Sequence, residues 1–461
     1  MMKKNVFLMG WLCCIASIAG ADAVQFSESG VEALTDVIIV TDEEIGNSFE
    51  STESIGIAIM ENGNVIVGWE DDNNEVQEIA GAFVVYNPQG ERLTPLRAYA
   101  DDDGNPTPVA GGWGPKIQSN WFGAGATFGT TFYEFGYVDS LAHLQDTGDA
   151  PVIQLVDNDG SFIGSAISAF PDDFLTGDPG DIRISDVAYL SDGNIIVTGQ
   201  SSAANPAHHA NYFNVENAAD QLPVGAVVNP QGETVHELRL LHDSGTRGSM
   251  WHGLATFDGG FVVRYELDGE GPYIRFFNND FTPITDPILL ADIDPAIAEG
   301  GRGDATGLEG NGGDRVILIS GGGDPHFVVF DTEGNVVVDP TPVEDFPIGS
   351  SRNDAALDEN GNIVVAYSDN VSTGDSALSR VVLRFFNADG TPATSPFFVY
   401  DMPEEDVLGV DQQPRVAMRN GIVAVAWLDT NYIMELPDEE IALRIFESPF
   451  GGTDVSEWAL Y

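Results

Sequence analysis

The sequence predicts an all-β chain folded as a seven-bladed β-propeller of four-stranded antiparallel blades. Three observations predict it. A hairpin of a short strand, an Asn-Gly or Asp-Gly turn and a longer strand recurs along the chain; each hairpin is followed by a third strand that ends in another turn; and no stretch beyond the first thirty residues keeps an apolar face at helical spacing for three turns. The 52 Gly and 25 Pro supply turns, and a 43% hydrophobic content supplies a core.

The hairpins align as "IAIMENGNVIVGWED" (57–71), "DVAYLSDGNIIVTGQ" (186–200), "GLATFDGGFVVRYEL" (253–267), "DAALDENGNIVVAYSD" (354–369) and "RVAMRNGIVAVAWLD" (415–429), with "GLEGNGGDRVILISG" (307–321) as a weaker copy. Asn-Gly and Asp-Gly are the strongest short-range hairpin signal, because both central residues of a type I′ turn need positive φ. Third strands follow in "AFVVYNPQG", "VIQLVDNDG", "GAVVNPQG", "YIRFFNNDF", "FVVFDTEG", "VVLRFFNADG" and "ALRIFESPFGG", and short fourth strands in "HELRLL", "DPILLAD" and "SPFFVYD". Asn-Pro-Gln-Gly, at 87–90 and 229–232, reads as turn punctuation: Asn opens the turn, Pro presets φ and Gly closes it, and "DNDG", "DTEG" and "NADG" fill the same slot elsewhere.

A lone meander of this kind leaves an apolar face wet, so the units must stack. Radial stacking suits their size, with blades near 55–101, 102–171, 183–243, 248–292, 302–345, 352–402 and 413–461. Six or eight blades, or a β-solenoid, are the alternatives. The second unit is the most diverged, and its first hairpin follows only from the spacing. "DVIIVTD" (36–42) resembles a fourth strand without a unit of its own and is a candidate for ring closure, in competition with the C-terminal "SEWALY".

Residues 1–23 read as a signal peptide: Lys3 and Lys4, then an apolar run too short to span a bilayer, then small residues. A secreted or periplasmic location is expected, with residues 24–461 as one domain. Cys13 and Cys14, the only cysteines, lie in this leader, so disulfides and thiol chemistry are not expected in the mature chain. The chain carries 73 acids against 18 bases, a formal net charge of −55, and losing Lys3 and Lys4 leaves Lys116 as its single lysine. Such a surface repels nucleic acid and anionic membranes and attracts cations or basic partners.

The repeat consensus, Val-Ala, Asp/Asn-Gly, Val-Val-Ala-Trp and then Arg-x-Phe-Asn-x-x-Gly, resembles the short repeats of secreted bacterial β-propeller proteins, many of which have no assigned activity. The resemblance spans most of the mature chain. It implies the fold and carries over no site residues.

Antiparallel alternation puts the tight turns at one end of the ring and the long connections at the other, which makes the loop end the expected functional face. Its segments, such as "WEDDNNE" with Asp71 and Asp72, are acidic and offer calcium hard oxygen ligands, although none has ordered calcium-loop spacing. Arg183, Arg247, Arg302, Arg352 and Arg415 recur at the starts of first strands, where guanidinium forks could bind an anionic ligand. The structural reading of the same arginines is pairing with a neighbouring Asp, such as Asp186 or Asp354, to hold blades together. Arg275, Arg384 and Arg444 lie in the third-strand consensus and read as structural. His208, His209 and His326 are metal candidates, Trp251 and His252 ligand candidates, and Trp113, Trp121 and Trp251 break the repeat pattern and are expected nearer the loop end as carbohydrate-contact candidates. Trp69, Tyr265, Tyr367 and Trp427 end second strands at equivalent places and read as interblade core.

The functional reading is a binding or cell-surface interaction module, calcium-stabilised in one version and more in keeping with a non-enzyme. Its expected partner is a polysaccharide or a basic protein surface, with no nucleic acid, no membrane span and a monomeric state. The alternative is an extracellular hydrolase or lyase acting on a polysaccharide.

Overall fold

In the computed structural model the described residues are 30–41, 55–69, 81–97, 99–101, 103–105, 112–132, 150–168, 180–203, 206–216, 218–249, 253–298, 307–320, 323–344, 353–369, 379–400, 412–429 and 440–451. They form seven antiparallel sheets, each built from one stretch of chain apart from the last. The inner strands are Ile55–Ile59, Gly112–Ser119, Gly180–Tyr189, Leu254–Phe257, Leu308–Gly310, Asn353–Leu357 and Gln412–Arg419. Each inner strand touches the next in this order, and the seventh touches the first, so the stack closes into a ring. The sequence-predicted seven-bladed propeller is the observed fold, and a solenoid is excluded by this closure.

Blades two, three and five have outer strands of seven residues, Phe162–Ser168, Thr234–Leu240 and Val336–Pro342. In blade one the described residues at the outer position form no strand and pair through the bridges of Phe83 with Arg97 and Tyr86 with Arg92. In blade seven it is taken from the other end of the chain: Ile38–Ile39 pairs antiparallel with Leu443 and Ala442 of Glu440–Glu447. "SEWALY" lies outside the described residues.

Aromatic residues seal the faces between blades. Trp69, Tyr265, Tyr367 and Trp427 are fully buried, and Trp427 stacks on Tyr400 with ring centroids 5.9 Å apart. The third-strand arginines form a second, polar set of interblade ties. Arg275 donates to the Leu241 carbonyl at 3.0 Å and to Asp243 at 2.9 Å; Arg384 donates to the Val343 carbonyl and to Glu344 at 2.7 Å; Arg444 donates to the Val399 carbonyl. Each guanidinium stands 5.2 to 5.3 Å from the ring of the Phe two residues ahead, which explains the Arg-x-Phe consensus.

The tight turns are locked by their first residue. Asn229 Oδ1 accepts from the backbone N–H groups of Gln231 and Glu233, and its Nδ2 donates to Glu233 Oε2 at 2.7 Å. Asn87 makes the same bonds with Gln89 and Glu91. In two turns that open on Asp the fifth residue is Asn, and donor and acceptor trade places: Asn335 donates to Asp331 at 2.9 Å, and Asn362 to Asp358 at 2.8 Å. The repeated tetrapeptide is therefore a self-contained Asx turn, closed by Gly90 and Gly232 at φ +81° and +80°.

Candidate functional site in the central channel

Seven inner strands placed side by side stack equivalent positions of the repeat into rings around the axis. The backbone bonds that open each inner hairpin, such as Met60 N–H to Asn64 O and Asn311 N–H to Arg315 O, fix this alignment. One ring consists of Gly56, Lys116, Asp186, Gly253, Gly307, Asp354 and Arg415. Two residues further on, a second ring consists of Ala58, Gln118, Ala188, Ala255, Glu309, Ala356 and Ala417. Alanine prevails in the second ring because blades converge at the axis, and blades two and five alone place long polar side chains there.

The charged residues of the first ring act between blades. Asp186 Oδ2 accepts from the Leu254 N–H of blade four at 3.1 Å and from Gln118 Nε2 of blade two at 3.1 Å, while its Oδ1 accepts from Val187 N–H. Burial pushes its carboxyl up to about 6, and Lys116 opposes the shift. Asp354 Oδ2 accepts from the Val416 N–H of blade seven at 2.9 Å; burial again raises its carboxyl, with Arg415 acting against it. Arg415, half-buried, also donates to the Ile55 carbonyl of blade one at 3.2 Å. Lys116 thus sits beside Asp186 and one of the five candidate arginines beside Asp354.

Glu309 has a different environment. Burial pushes its carboxyl well above the usual carboxylate range, the negative charges of Asp354 and Asp186 push it further, and Arg415 only partly offsets them. It lines a small axial cavity of about 20 Å³ together with Ile57, Gln118, Ser119, Trp121 and Met418. That space suits one or two water-sized occupants.

Trp121 lines this cavity on the side of the tight turns. It stands in the inner turn of blade two, packs on Gly312 of the inner turn of blade five, and carries the Arg419 guanidinium of blade seven 4.5 Å from its ring. A Cβ on Gly312 would lie 2.7 Å from Trp121, and its φ of +68° also favours glycine. The expectation that Trp121 faces the loop end is therefore wrong. "NWFGAG" is a lengthened inner turn, with Asn120 N–H bonded to Gly125 O at 3.1 Å, and inner turns belong to the opposite end.

The other candidates are dispersed. Arg247 lies at the loop end and is exposed, donating to Gln221 Oε1 at 2.8 Å with Asp220 and Asp268 at 3.6 and 3.5 Å. Arg183 is placed on its inner strand opposite Gln200. His208 and His209 are neighbours on a short helix, Pro206–Tyr212, inserted between the second and third strands of blade three. His209 Nδ1 donates to the Ala219 carbonyl at 2.7 Å, and burial lowers its basicity. His326, at the start of a third strand in blade five, donates from Nδ1 to the Asp324 carbonyl at 2.8 Å. Among the described residues no group of three or more His, Cys, Asp or Glu side chains is placed to hold a metal ion. Arg302, Arg352, Trp251, His252, Asp71, Asp72 and the side chain of Trp113 lie outside the described residues. Sequence reasoning missed Glu309 and Gln118. Their only signal was a polar residue at a position that is Ala in the other copies.

No family model matches the sequence, and no curated protein matches it. Among solved structures the chain is similar to Penicillium chrysogenum α-L-arabinanase, with 12% identity, a TM-score of 0.43, and coverage of 91% of this chain and 99% of that one. It is also similar to Kuenenia stuttgartiensis hydrazine synthase, with 10% identity, a TM-score of 0.46 and coverage of 89% and 99%. Trypanosoma rangeli sialidase is similar at 8% identity and a TM-score of 0.41, with coverage of 90% of this chain and 58% of that one.

Proposed function

We propose that the protein is a secreted binding module that uses the loop end of its ring, with an acidic contact face for a basic protein surface or a polysaccharide. The observation that carries this reading is Trp121, which stands in an inner turn at the tight-turn end, lines the axial cavity and carries the Arg419 guanidinium 4.5 Å from its ring. With a bulky side chain at the tight-turn end, the loop end is the proposed approach to the axis. There the connecting segments are rich in Asp and Glu by sequence. First-ring charges that could have formed a reactive group are instead spent on interblade bonds, as at Asp186 and Asp354. Calcium bound among loop carboxylates belongs to the same reading and would raise the melting temperature.

The second reading, a polysaccharide hydrolase or lyase, is favoured by one observation: the raised carboxyl of Glu309 has the character of a general acid. The cavity beside it, about 20 Å³, admits no sugar ring. Binding is therefore preferred to catalysis.

The test is a screen of the secreted chain against a glycan array, immobilised polylysine and polysaccharide depolymerisation assays. The reading expects retention on at least one surface, weakened by salt where that surface is cationic, and no depolymerisation. Shortened polysaccharide products would overturn it in favour of the enzyme. A melting temperature indifferent to both calcium and chelator would remove calcium from it.

A further inference from the structure

Asn-Gly occurs in the chain at Asn62, Asn311, Asn360 and Asn420, and each pair stands in the inner turn of a blade. The dipeptide that makes the turn also joins an amide side chain to a backbone nitrogen that no side chain shields, so these turns are the thermolabile points of the sequence. The structure holds the four amides differently. Asn62 is exposed but tied at both ends: its Nδ2 donates to the Asn158 carbonyl of blade two at 3.1 Å, and its Oδ1 accepts from Asn64 N–H at 3.1 Å. Asn311 is 4% exposed, and its Oδ1 accepts from Gly313 N–H at 2.9 Å and from Arg315 N–H at 3.1 Å. Asn420 is half-buried and donates from Nδ2 to the Glu61 carbonyl of blade one at 2.8 Å. Asn360 is exposed, and no hydrogen bond joins its side chain to a described residue. Its turn is held by Asp358 instead, whose Oδ1 accepts from the Asn360 and Asn362 N–H groups.

We infer that Asn360 is a site of spontaneous modification, which converts to isoaspartate and aspartate in the folded protein ahead of the other three asparagines. The Gly361 nitrogen gives its proton to solvent base and attacks Asn360 Cγ. The new N–Cγ bond closes a five-membered succinimide as the Cγ–Nδ2 bond breaks and ammonia leaves. Water then opens the ring at either carbonyl, giving isoaspartate where the chain continues through Cγ and aspartate where the α linkage is kept; no oxidant or reductant is consumed. Two features favour this turn. The Asn360 amide can swing onto Gly361 without breaking a bond of its own, whereas the other three must first release theirs. The Arg315 guanidinium of blade five also lies against Gly361, since a Cβ there would stand 3.0 Å from Nη1. A positive charge at this range stabilises the negative charge that develops during the attack. The Gly361 N–H must leave the Asp358 carbonyl, at 2.9 Å, but Gly63 N–H is bonded to Met60 at the same distance, so this step does not set Asn360 apart from Asn62. Conversion adds a carboxylate next to Glu359, whose Oε1 accepts from Asn420 N–H at 2.9 Å and so ties the inner turns of blades six and seven.

The experiment uses the full natural chain and needs no ligand, so it stands apart from the loop-end reading. The folded chain is incubated in mildly alkaline buffer, sampled over time and digested at acid pH, and the peptides carrying the four Asn-Gly pairs are quantified by mass spectrometry with chromatographic separation of isoaspartate from aspartate. A parallel incubation in concentrated urea reports the four sites without the fold. In urea the four should convert at similar rates, because they share the dipeptide. In the folded chain Asn360 should convert several-fold faster than Asn62, Asn311 and Asn420, whose tethers open only through local unfolding. Conversion of any of those three as fast as Asn360 in the folded chain, an equal lead of Asn360 in urea, or no conversion of Asn360 would each overturn the inference.

Discussion

Asp354 Oδ2 accepts a hydrogen bond from the Val416 backbone N–H at 2.9 Å, tying the inner strand of blade six to that of blade seven. Asp186 makes the same bond to Leu254 N–H, between blades three and four. One position of the repeat therefore serves as an interblade latch when it is Asp. When it is Gly it makes room for the latch: a Cβ on Gly307 would lie 2.2 Å from Asp354 Oδ1. The neighbouring cations steady these carboxylates, so the acids near the starts of first strands belong to the architecture.

The latch has a pH signature. The Asp186 carboxyl is raised to about 6 in the folded chain, above the ordinary value of about 3.9 that it takes when unfolded. The folded state then holds this proton more tightly, so the stabilisation is full below about pH 4, is lost as pH rises to about 6, and changes little above that. Urea midpoints of the natural chain and of Asp186→Asn should be compared from pH 4 to 8. The natural chain should lose stability relative to the variant across that window, and a relative gain would contradict the assignment.

The Asx turns make a double-mutant prediction. Asn229→Asp sets a carboxylate against Glu233 Oε2 where an amide now donates at 2.7 Å, and it should destabilise by about 1 kcal/mol at pH 7. Adding Glu233→Asn recreates the Asp-to-Asn pairing found at Asp331 with Asn335 and at Asp358 with Asn362, and should restore most of the loss. A thermal-unfolding cycle measures the coupling, and strictly additive effects would show that the two side chains do not act as a pair.

Third-strand arginines should differ in cost according to what they leave behind. Arg384→Met strands the Glu344 side chain, 4% exposed, without this cation and should cost about 3 to 5 kcal/mol. Arg275→Met leaves Asp243, whose side chain is 72% exposed and can be solvated, and should cost about 1 to 2 kcal/mol. Chemical denaturation of the two variants checks the order, and a reversal would mean that burial of the carboxylate does not set the cost.

The fold was legible because turn chemistry is local. Gly with positive φ, preceded by Asn or Asp that binds its own backbone, must be written at each tight turn, and those turns set the register of every strand. The structural roles of Trp69, Trp427 and the Arg-x-Phe arginines were legible for the same reason, since they recur at fixed distances from the turns. Trp121 was misplaced because its turn has no Asn-Gly or Asp-Gly and so read as a loop. Glu309 was invisible as one acid among 73, in the weakest copy of the hairpin. Its environment comes from blades two, three, six and seven, and contacts such as Gln118 to Leu254, 136 residues apart, leave no local trace.

The central claim, that the tight-turn end is closed architecture and the loop end is the contact face, is tested most directly by hydrogen exchange of the chain with and without polylysine as a cationic probe. The account predicts protection in the acidic connections at 42–54, 70–80 and 401–411, with unchanged exchange at the Asn87–Gly90 and Asn229–Gly232 turns. Protection centred on those turns, with the loop-end segments unchanged, would contradict it.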